Sequence, residues 1–205
     1  KDDQLPDEIA QKLDMLLYDP DKNTMEYKAL DQACAETHLS HIKLLQKCGA
    51  IPSAHDYHLG AFLREYFADG ADFKSTALPN LTEAADLPLA DVQAFSIDDS
   101  TTTEIDDAFS IFKLEDGITR VGVHIAAPAL GIAVDSEMDI EVMQRLSTIY
   151  MPGNKITMLP EAAIRPFSLD AGETKPALSL YLHVDAEFNV VHRDTRVERI
   201  TIADN

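Results

Sequence analysis

Apolar residues recur at helical spacing through the first third of the chain. Ile9, Leu13 and Leu17 lie four residues apart, which predicts an amphipathic helix. Predicted helices cover residues 6–18, 24–36 and 39–48, and a fourth begins at the Ser53 capping box and ends before Gly70. Short helices with tight connections are typical of a helix-turn-helix or winged helix, and equally of an ordinary helical hairpin. The pattern predicts a helical N-terminal domain over residues 1–70.

The pattern changes after residue 70. Residues 71–92 contain prolines and scattered acids without a sustained period, which predicts a linker. From residue 93 onwards, short runs of strand-like residues follow, with a hairpin turn predicted at Glu115-Asp116-Gly117. A helix is expected after Ser136, with Ile140, Met143 and Leu146 on its buried face.

Alternating and apolar residues near the end of the chain predict further strands, over residues 177–185, 190–193 and 195–202. The predicted fold class is therefore α+β. A helical domain precedes residues 93–205, the first part of a domain built on a mixed, largely antiparallel β-sheet with flanking helices. We expect the last strand to have a free edge that associates with another copy or with the remainder of the polypeptide.

Charge changes this picture. The 205 residues include 36 acidic and 17 basic side chains, for a net charge of −19. Because phosphate contacts are made chiefly by Lys and Arg, this composition by itself disfavours a nucleic-acid-binding module. No apolar run has the length that spans a bilayer, so we expect no membrane association. Cys34 and Cys48 lack metal-ligand spacing, and we predict reduced thiols in a cytoplasmic protein.

The most unusual stretch is the acidic run between Phe95 and Phe112, with strand-like residues on both sides. Its carboxylates are Asp98, Asp99, Glu104, Asp106 and Asp107. Carboxylates this close repel one another, and protonation or a bound cation relieves the repulsion. An EF-hand is excluded because, counting from Asp98, Thr103 stands where Gly is needed. A solvated acidic turn and a metal-dependent catalytic site remain, and the strand-like flanks favour the second.

The order of the motifs resembles the RNB domain of the RNase II and RNase R group of 3′→5′ exoribonucleases. The family pattern is Ile-Asp, a short polar loop and then Asp-x-Asp-Asp-Ala. Asp98, Glu104, Asp106 and Asp107 fall on its acidic positions. Later motifs in family order are Val123-His124-Ile125-Ala126, Tyr150-Met151-Pro152-Gly153, Met158-Leu159-Pro160-Glu161 and Ala177-Leu178-Ser179. The resemblance covers about half of the chain, and several ordered motifs are more specific than one.

The resemblance implies an enzyme that hydrolyses single-stranded RNA from its 3′ end to nucleoside 5′-monophosphates, with water as the nucleophile. It implies Mg²⁺, or Mn²⁺, held by Asp98, Glu104 and Asp107. Asp106 would complete the catalytic set, and Tyr150 would stack near the 3′ end of the RNA.

The resemblance also implies that the catalytic domain continues beyond residue 205, where the family has a further Arg and Glu. We therefore expect the 205-residue chain to be inactive alone. The nearest candidate cations for a phosphate are Lys155, Arg165 and Lys175.

The alternative is a non-catalytic member of the family that binds or scaffolds RNA-processing partners. Glu104 stands where the family usually has Asp, and Ala127 stands where many members have Asp. These two departures and the acidic composition favour this alternative.

Overall fold

The computed structural model describes residues 5–75, 77–99 and 102–205, so Ser100 and Thr101 of the acidic run lie outside the described residues. The chain divides into two compact units, Lys1–Asp72 and Phe73–Asn205.

The first unit is helical. Its helices are α1 (Asp7–Ala10), α2 (Leu13–Tyr18), α3 (Met25–Thr37), α4 (His41–Lys47) and α5 (Ala54–Tyr66). Thr24, Ser40 and Ser53 cap the last three, since each hydroxyl accepts a hydrogen bond from the backbone N–H three residues later. The apolar faces meet in a core of Leu17, Leu30, Leu44, Leu45 and Ile51.

Two details of this unit differ from the predictions. The helix predicted over residues 6–18 is interrupted, because the backbone of Lys12 (φ −112°, ψ 15°) leaves the helical region. The winged-helix alternative needs a β-wing, and residues 5–72 contain no strand.

The second unit begins with residues for which we predicted a linker. Helix α6 (Thr82–Ala85) and the first residues of strand β1 (Leu89–Phe95) lie within residues 71–92. The backbone N–H of Asn80 donates to the carbonyl of Gly131, at 2.9 Å, which ties this segment to the rest of the unit.

A closed barrel forms the centre of the second unit. The strands after β1 are β2 (Asp107–Lys113), β3 (Thr119–Ala126), β4 (Ile149–Met151), β5 (Asn154–Ile156), β6 (Thr174–Val184) and β7 (Val190–Asp204). The barrel order is β1-β2-β3-β6-β7, while β4 and β5 form a separate hairpin. All barrel pairs are antiparallel except β1 with β7. The mixed, largely antiparallel sheet of the predicted α+β fold is confirmed.

The predicted turn between β2 and β3 is also confirmed. Asp116 and Gly117 have positive φ angles of 59° and 76°. Glycine adopts such a conformation at no steric cost, and Asp tolerates it better than most residues.

The predictions for the end of the chain were wrong in two respects. Residues 190–193 and 195–202 belong to one continuous strand, β7, rather than to two. This strand pairs with β6 on one side and with β1 on the other, so it is not the free edge that we expected. The partner that closes the sheet is β1, which comes about 100 residues earlier in the sequence.

The helix after Ser136 exists, but its predicted buried face was wrong. Helix α7 (Glu137–Arg145) buries Met138, whereas Ile140, Met143 and Leu146 are 50%, 67% and 80% exposed. Glu141 and Arg145 cover the inner side, since Glu141 accepts the backbone N–H groups of Lys74 and Ser75. Another short helix, α8 (Glu161–Ile164), follows the hairpin. Among the described residues no helix is both long and apolar enough to cross a membrane.

The barrel interior contains polar side chains that bond to one another. His124 is fully buried, and its Nε2 and Nδ1 lie 2.8 Å from the hydroxyls of Ser110 and Ser179. The Tyr181 hydroxyl donates to Glu198 at 2.6 Å, and burial raises the pKa of Tyr181 to about 12. Such groups remain inside because their hydrogen bonds replace those with water.

His124 makes the stability of this unit depend on pH. Burial lowers the pKa of His124 below its ordinary value of 6.5, and Arg120 acts in the same direction, whereas Glu198 opposes it. The unfolded chain therefore takes up a proton at His124 more readily than the folded chain. The stabilising contribution is complete above pH 6.5 and is lost as the pH falls through 6.5 towards the folded pKa.

We therefore expect the free energy of unfolding to fall more between pH 7.5 and pH 5.5 in the natural chain than in His124→Gln. Glutamine can still donate and accept hydrogen bonds with the two serines but does not titrate. Urea unfolding followed by circular dichroism at both pH values measures the difference. An equal fall in both proteins would show that His124 carries no such contribution.

Candidate functional site

The acidic run forms a connection, described at residues 96–99 and 102–106, between the end of β1 and the start of β2. Its beginning is fixed by Asn205. The Ser96 hydroxyl donates to the Asn205 side-chain oxygen at 2.7 Å, and the Asp98 N–H donates to the same oxygen at 3.3 Å. The backbone of Asp98 is therefore held beside the end of β7.

The second half of the connection is fixed by a buried side chain. Ile105 is 4% exposed, its N–H donates to the Ser168 hydroxyl at 3.0 Å, and its carbonyl accepts from the N–H of Leu169 at 2.9 Å. The carbonyl of Asp106 accepts from the N–H of Ala126 at 2.8 Å. Because Ile105 points inward, Glu104 and Asp106 on either side of it point away from the core, where Asp106 is exposed and Glu104 is half-buried.

The structure brings the four predicted acidic residues within electrostatic range of one another. The pKa of Asp106 is raised, first because neighbouring protein displaces part of its hydration and then because Glu104, Asp107 and Asp98 repel its charge. Lys155 opposes this rise. Asp106 thus holds a proton more readily than an ordinary Asp, although the residue as a whole is exposed.

Of the three candidate cations, Lys155 lies at the acidic residues. Its ammonium donates to Oε2 of Glu104 at 2.7 Å. Arg165 instead lies 3.6 Å from Glu161, and Lys175 lies 2.6 Å from Glu173. Sequence alone offered no reason to choose among the three.

Lys155 and Tyr150 belong to the same hairpin. Tyr150 in β4 is directly opposite Lys155 in β5, and the turn between the strands is Pro152-Gly153. Gly153 has a φ of 74°, as the third residue of a type II turn requires. Tyr150 is 73% exposed, so its ring is available to a ligand.

A cavity of about 290 Å³ lies between this hairpin and the acidic connection. Its polar edge includes Glu104, Asp106 and Tyr150. The remaining lining residues are Ile125, Ala126, Pro128, Thr148, Met158, Leu159, Ile164, Phe167 and Ser168. Charged groups and an exposed aromatic ring at the edge of an apolar cavity are typical of a small-molecule or nucleotide site.

The chemistry of these side chains fits a hard divalent cation. In the described ranges, no three His, Cys, Asp or Glu side chains already stand as a metal-ligand group. The donors are nevertheless all carboxylate oxygens, which Mg²⁺ and Mn²⁺ prefer. The repulsion that raises the pKa of Asp106 is also the repulsion that a bound cation would relieve.

Sequence reasoning missed the residues that hold the site in place. Ser168 and Asn205 make the hydrogen bonds that fix the acidic connection, and Phe167 lines the cavity. Nothing in the neighbourhood of Ser168 in the sequence indicates a partner 63 residues earlier.

A closed, mostly antiparallel barrel with a carboxylate-rich connection at the end of one strand defines an α+β domain with an acidic site. The family model described as RNB domain matches residues 87–204, which is more than half of the chain. The chain therefore belongs to the RNB-domain family, in agreement with the resemblance of its motifs.

Individual relatives support this assignment. Exoribonuclease 2 of Haemophilus influenzae is 40% identical over 100 residues, which are 46% of this chain and 15% of that protein. A solved active-site mutant of the Dss1 exoribonuclease from Candida glabrata matches with a TM-score of 0.62 at 20% identity, covering 97% of this chain and 28% of that one. Yeast Ssd1, a pseudonuclease, matches with a TM-score of 0.62 at 17% identity, covering 73% and 20%.

The two solved structures show a shared fold. The chain spans about 15% of the length of the Haemophilus influenzae relative.

Ser168 gives a direct test of how the acidic connection is held. Ser168→Ala removes the acceptor of the Ile105 N–H in a buried place, so we expect the free energy of unfolding to fall by about 1 to 3 kcal/mol. Urea unfolding followed by circular dichroism measures this. Ser147→Ala, at an exposed serine, is the matched control and should change stability by less than about 0.5 kcal/mol. Equal effects would show that the bond to Ile105 is unimportant.

Proposed function

We propose that the chain belongs to a 3′→5′ exoribonuclease and supplies the acidic residues of its active site. The enzyme would hydrolyse single-stranded RNA to nucleoside 5′-monophosphates in the cytoplasm. The observation that carries this proposal is that Glu104, Asp106 and Tyr150 line one cavity in a chain of the RNB-domain family. The relative named Exoribonuclease 2 supports RNA as the substrate class.

Asp98, Glu104 and Asp107 are the residues that would hold Mg²⁺ or Mn²⁺. Bound there, such an ion would polarise the scissile phosphate and lower the pKa of a water molecule. The ion would also supply the positive charge that a site of carboxylates lacks for binding a phosphate.

The chain's own side chains would perform the remaining tasks. Asp106 lines the cavity and is not among the three proposed metal ligands, so its carboxylate oxygen is suited to accept a hydrogen bond from the attacking water. Tyr150 offers an exposed ring on which a terminal base can stack, and stacking of this kind tolerates any base. The apolar wall formed by Ile125, Leu159 and Phe167 would exclude water around the bound nucleotide.

The basic groups that contact the RNA backbone would come from the rest of the polypeptide. The net charge of −19 makes this chain a poor partner for phosphate by itself. Two of the three candidate cations, Arg165 and Lys175, are paired with glutamates away from the acidic connection. We therefore propose that the 205-residue chain does not degrade RNA when it is separated from the remainder.

A second candidate function is a non-catalytic RNB module that scaffolds RNA-processing partners. One observation favours it, because the Lys155 ammonium already neutralises Glu104, one of the three proposed metal ligands. A decayed site could keep its fold through such a pair without any divalent cation.

The substitution Asp107→Asn separates the two candidates. It removes a charged ligand and scarcely changes the size of the side chain, so folding and RNA binding should survive. We expect hydrolysis of a labelled single-stranded RNA by the longer natural protein in Mg²⁺ to fall by roughly 100-fold or more. Glu104→Asp should be tolerated in the same assay, whereas Glu104→Gln should be damaging.

Gel analysis of the shortened products measures these rates, with the 205-residue chain run beside the longer protein. Near-normal hydrolysis by folded Asp107→Asn protein would contradict the assignment of Asp107 as a metal ligand. Absence of hydrolysis by the unsubstituted longer protein, in both Mg²⁺ and Mn²⁺, would favour the non-catalytic module. Processive shortening by the 205-residue chain, absent in its Asp107→Asn version, would show that the remainder is dispensable.

A further inference from the structure

Lys155 joins two parts of the site that are far apart in the sequence. Its ammonium lies 2.7 Å from Oε2 of Glu104, which comes 51 residues earlier. The side chains of Lys155 and Glu104 are 34% and 24% exposed, so both are partly removed from water. An ion pair in this setting is screened less than one on an open surface.

The hairpin that carries Lys155 has little structure of its own to fix it. Each of its strands has three residues, and an isolated two-stranded hairpin is marginal in water. Its placement therefore depends on bonds to its surroundings. The Lys155–Glu104 pair is a side-chain bond that ties the hairpin to the acidic connection, and Tyr150 lies directly opposite Lys155.

We propose that Lys155 is a positioning residue that couples the acidic connection to the placement of Tyr150. Without a divalent cation, its ammonium holds Glu104 and keeps the hairpin against the acidic residues. A divalent cation that takes Glu104 as a ligand displaces Lys155 and releases the hairpin. This inference rests on the proposed function, because it takes Glu104 to be a metal ligand.

Competition for a single carboxylate is the physical basis of the coupling. If Oε2 of Glu104 contacted the Lys155 ammonium and a divalent ion at the same time, the two cations would lie close together and repel each other. Lys155 therefore weakens the binding of the divalent ion, and the ion weakens the hold of Lys155 on the hairpin. The two effects are equal by linkage.

A single tryptophan can report on the hairpin, since the chain contains none. In Tyr150→Trp protein without divalent cations, Glu104→Gln and Lys155→Gln should each increase quenching of the fluorescence by acrylamide. The double variant should show no more quenching than either single variant, because both remove the same bond. Additive effects, or no effect, would overturn the positioning role whatever the metal does.

Titration with Mg²⁺ at constant ionic strength tests the competition. We expect Lys155→Gln to lower the dissociation constant for Mg²⁺ by about two- to five-fold, the range typical of removing one partly exposed ion pair. Lys113→Gln is the matched control. It changes the net charge equally but lies at the far end of β2 from Asp107, so the dissociation constant should not change. Calorimetric titration of proteins that keep Tyr150 should give the same ratio.

The outcomes separate this inference from the proposed function. In one outcome Mg²⁺ binds to the unsubstituted protein, does not bind to Asp107→Asn, and binds equally well to Lys155→Gln and Lys113→Gln. This outcome would overturn the competition and leave the metal site supported. If no variant binds Mg²⁺ in a saturable way, both the metal site and the competition are overturned. Weaker binding in Lys155→Gln would overturn the competition by showing that Lys155 supports the ion.

Discussion

The mutual repulsion of Asp98, Glu104, Asp106 and Asp107 is the constraint to which the second unit is adapted. These carboxylates would separate on a free chain, yet each end of their connection is tied down. Asn205 holds the beginning through Ser96 and Asp98, and Ser168 holds the end through Ile105. The remaining repulsion shows in the raised pKa of Asp106, and Lys155 relieves part of it.

Barrel closure makes these ties possible. Strand β7 brings Asn205 to the beginning of the connection because it pairs in parallel with β1, which ends just before Ser96. The interior of the same barrel is held by the bonds of His124 with Ser110 and Ser179. A side chain at Gly122 would collide with Ser110 and His124, so the glycine leaves the room that these bonds need. These interior residues therefore belong to the barrel whose strands β1 and β7 position the acidic connection.

Local features of this structure could be predicted from sequence because their causes are local. The helix cap at Ser53, the turn at Asp116 and Gly117 and the closeness of four acidic residues depend on neighbours a few positions apart. The buried face of α7 could not be predicted from apolar spacing. Its inner side includes Arg145, whose guanidinium packs 3.7 Å from the ring centre of Phe73 and donates to the carbonyl of Thr157.

The pairing of residues far apart in the sequence could not be predicted from the sequence pattern either. The unbroken length of β7 follows from its two partners, β6 and β1, rather than from its own alternation. Lys155 is ordinary in its neighbourhood in the sequence, and only the hairpin register and the position of Glu104 give it a role. The acidic residues and Tyr150 were predicted from the motifs, and Lys155 was predicted only as one of three candidate cations for a phosphate. The pair of Lys155 with Glu104 and the supporting bonds from Ser168 and Asn205 came from the fold.

Anomalous diffraction from crystals grown with Mn²⁺ tests the central claim most directly, since it locates the ion without reference to activity. We expect a peak at ligand distance from carboxylate oxygens of Asp98, Glu104 and Asp107, with the Lys155 ammonium moved away from Glu104. A peak elsewhere, or no peak at these carboxylates while Lys155 remains on Glu104, would contradict the assignment of this connection as a metal-holding site.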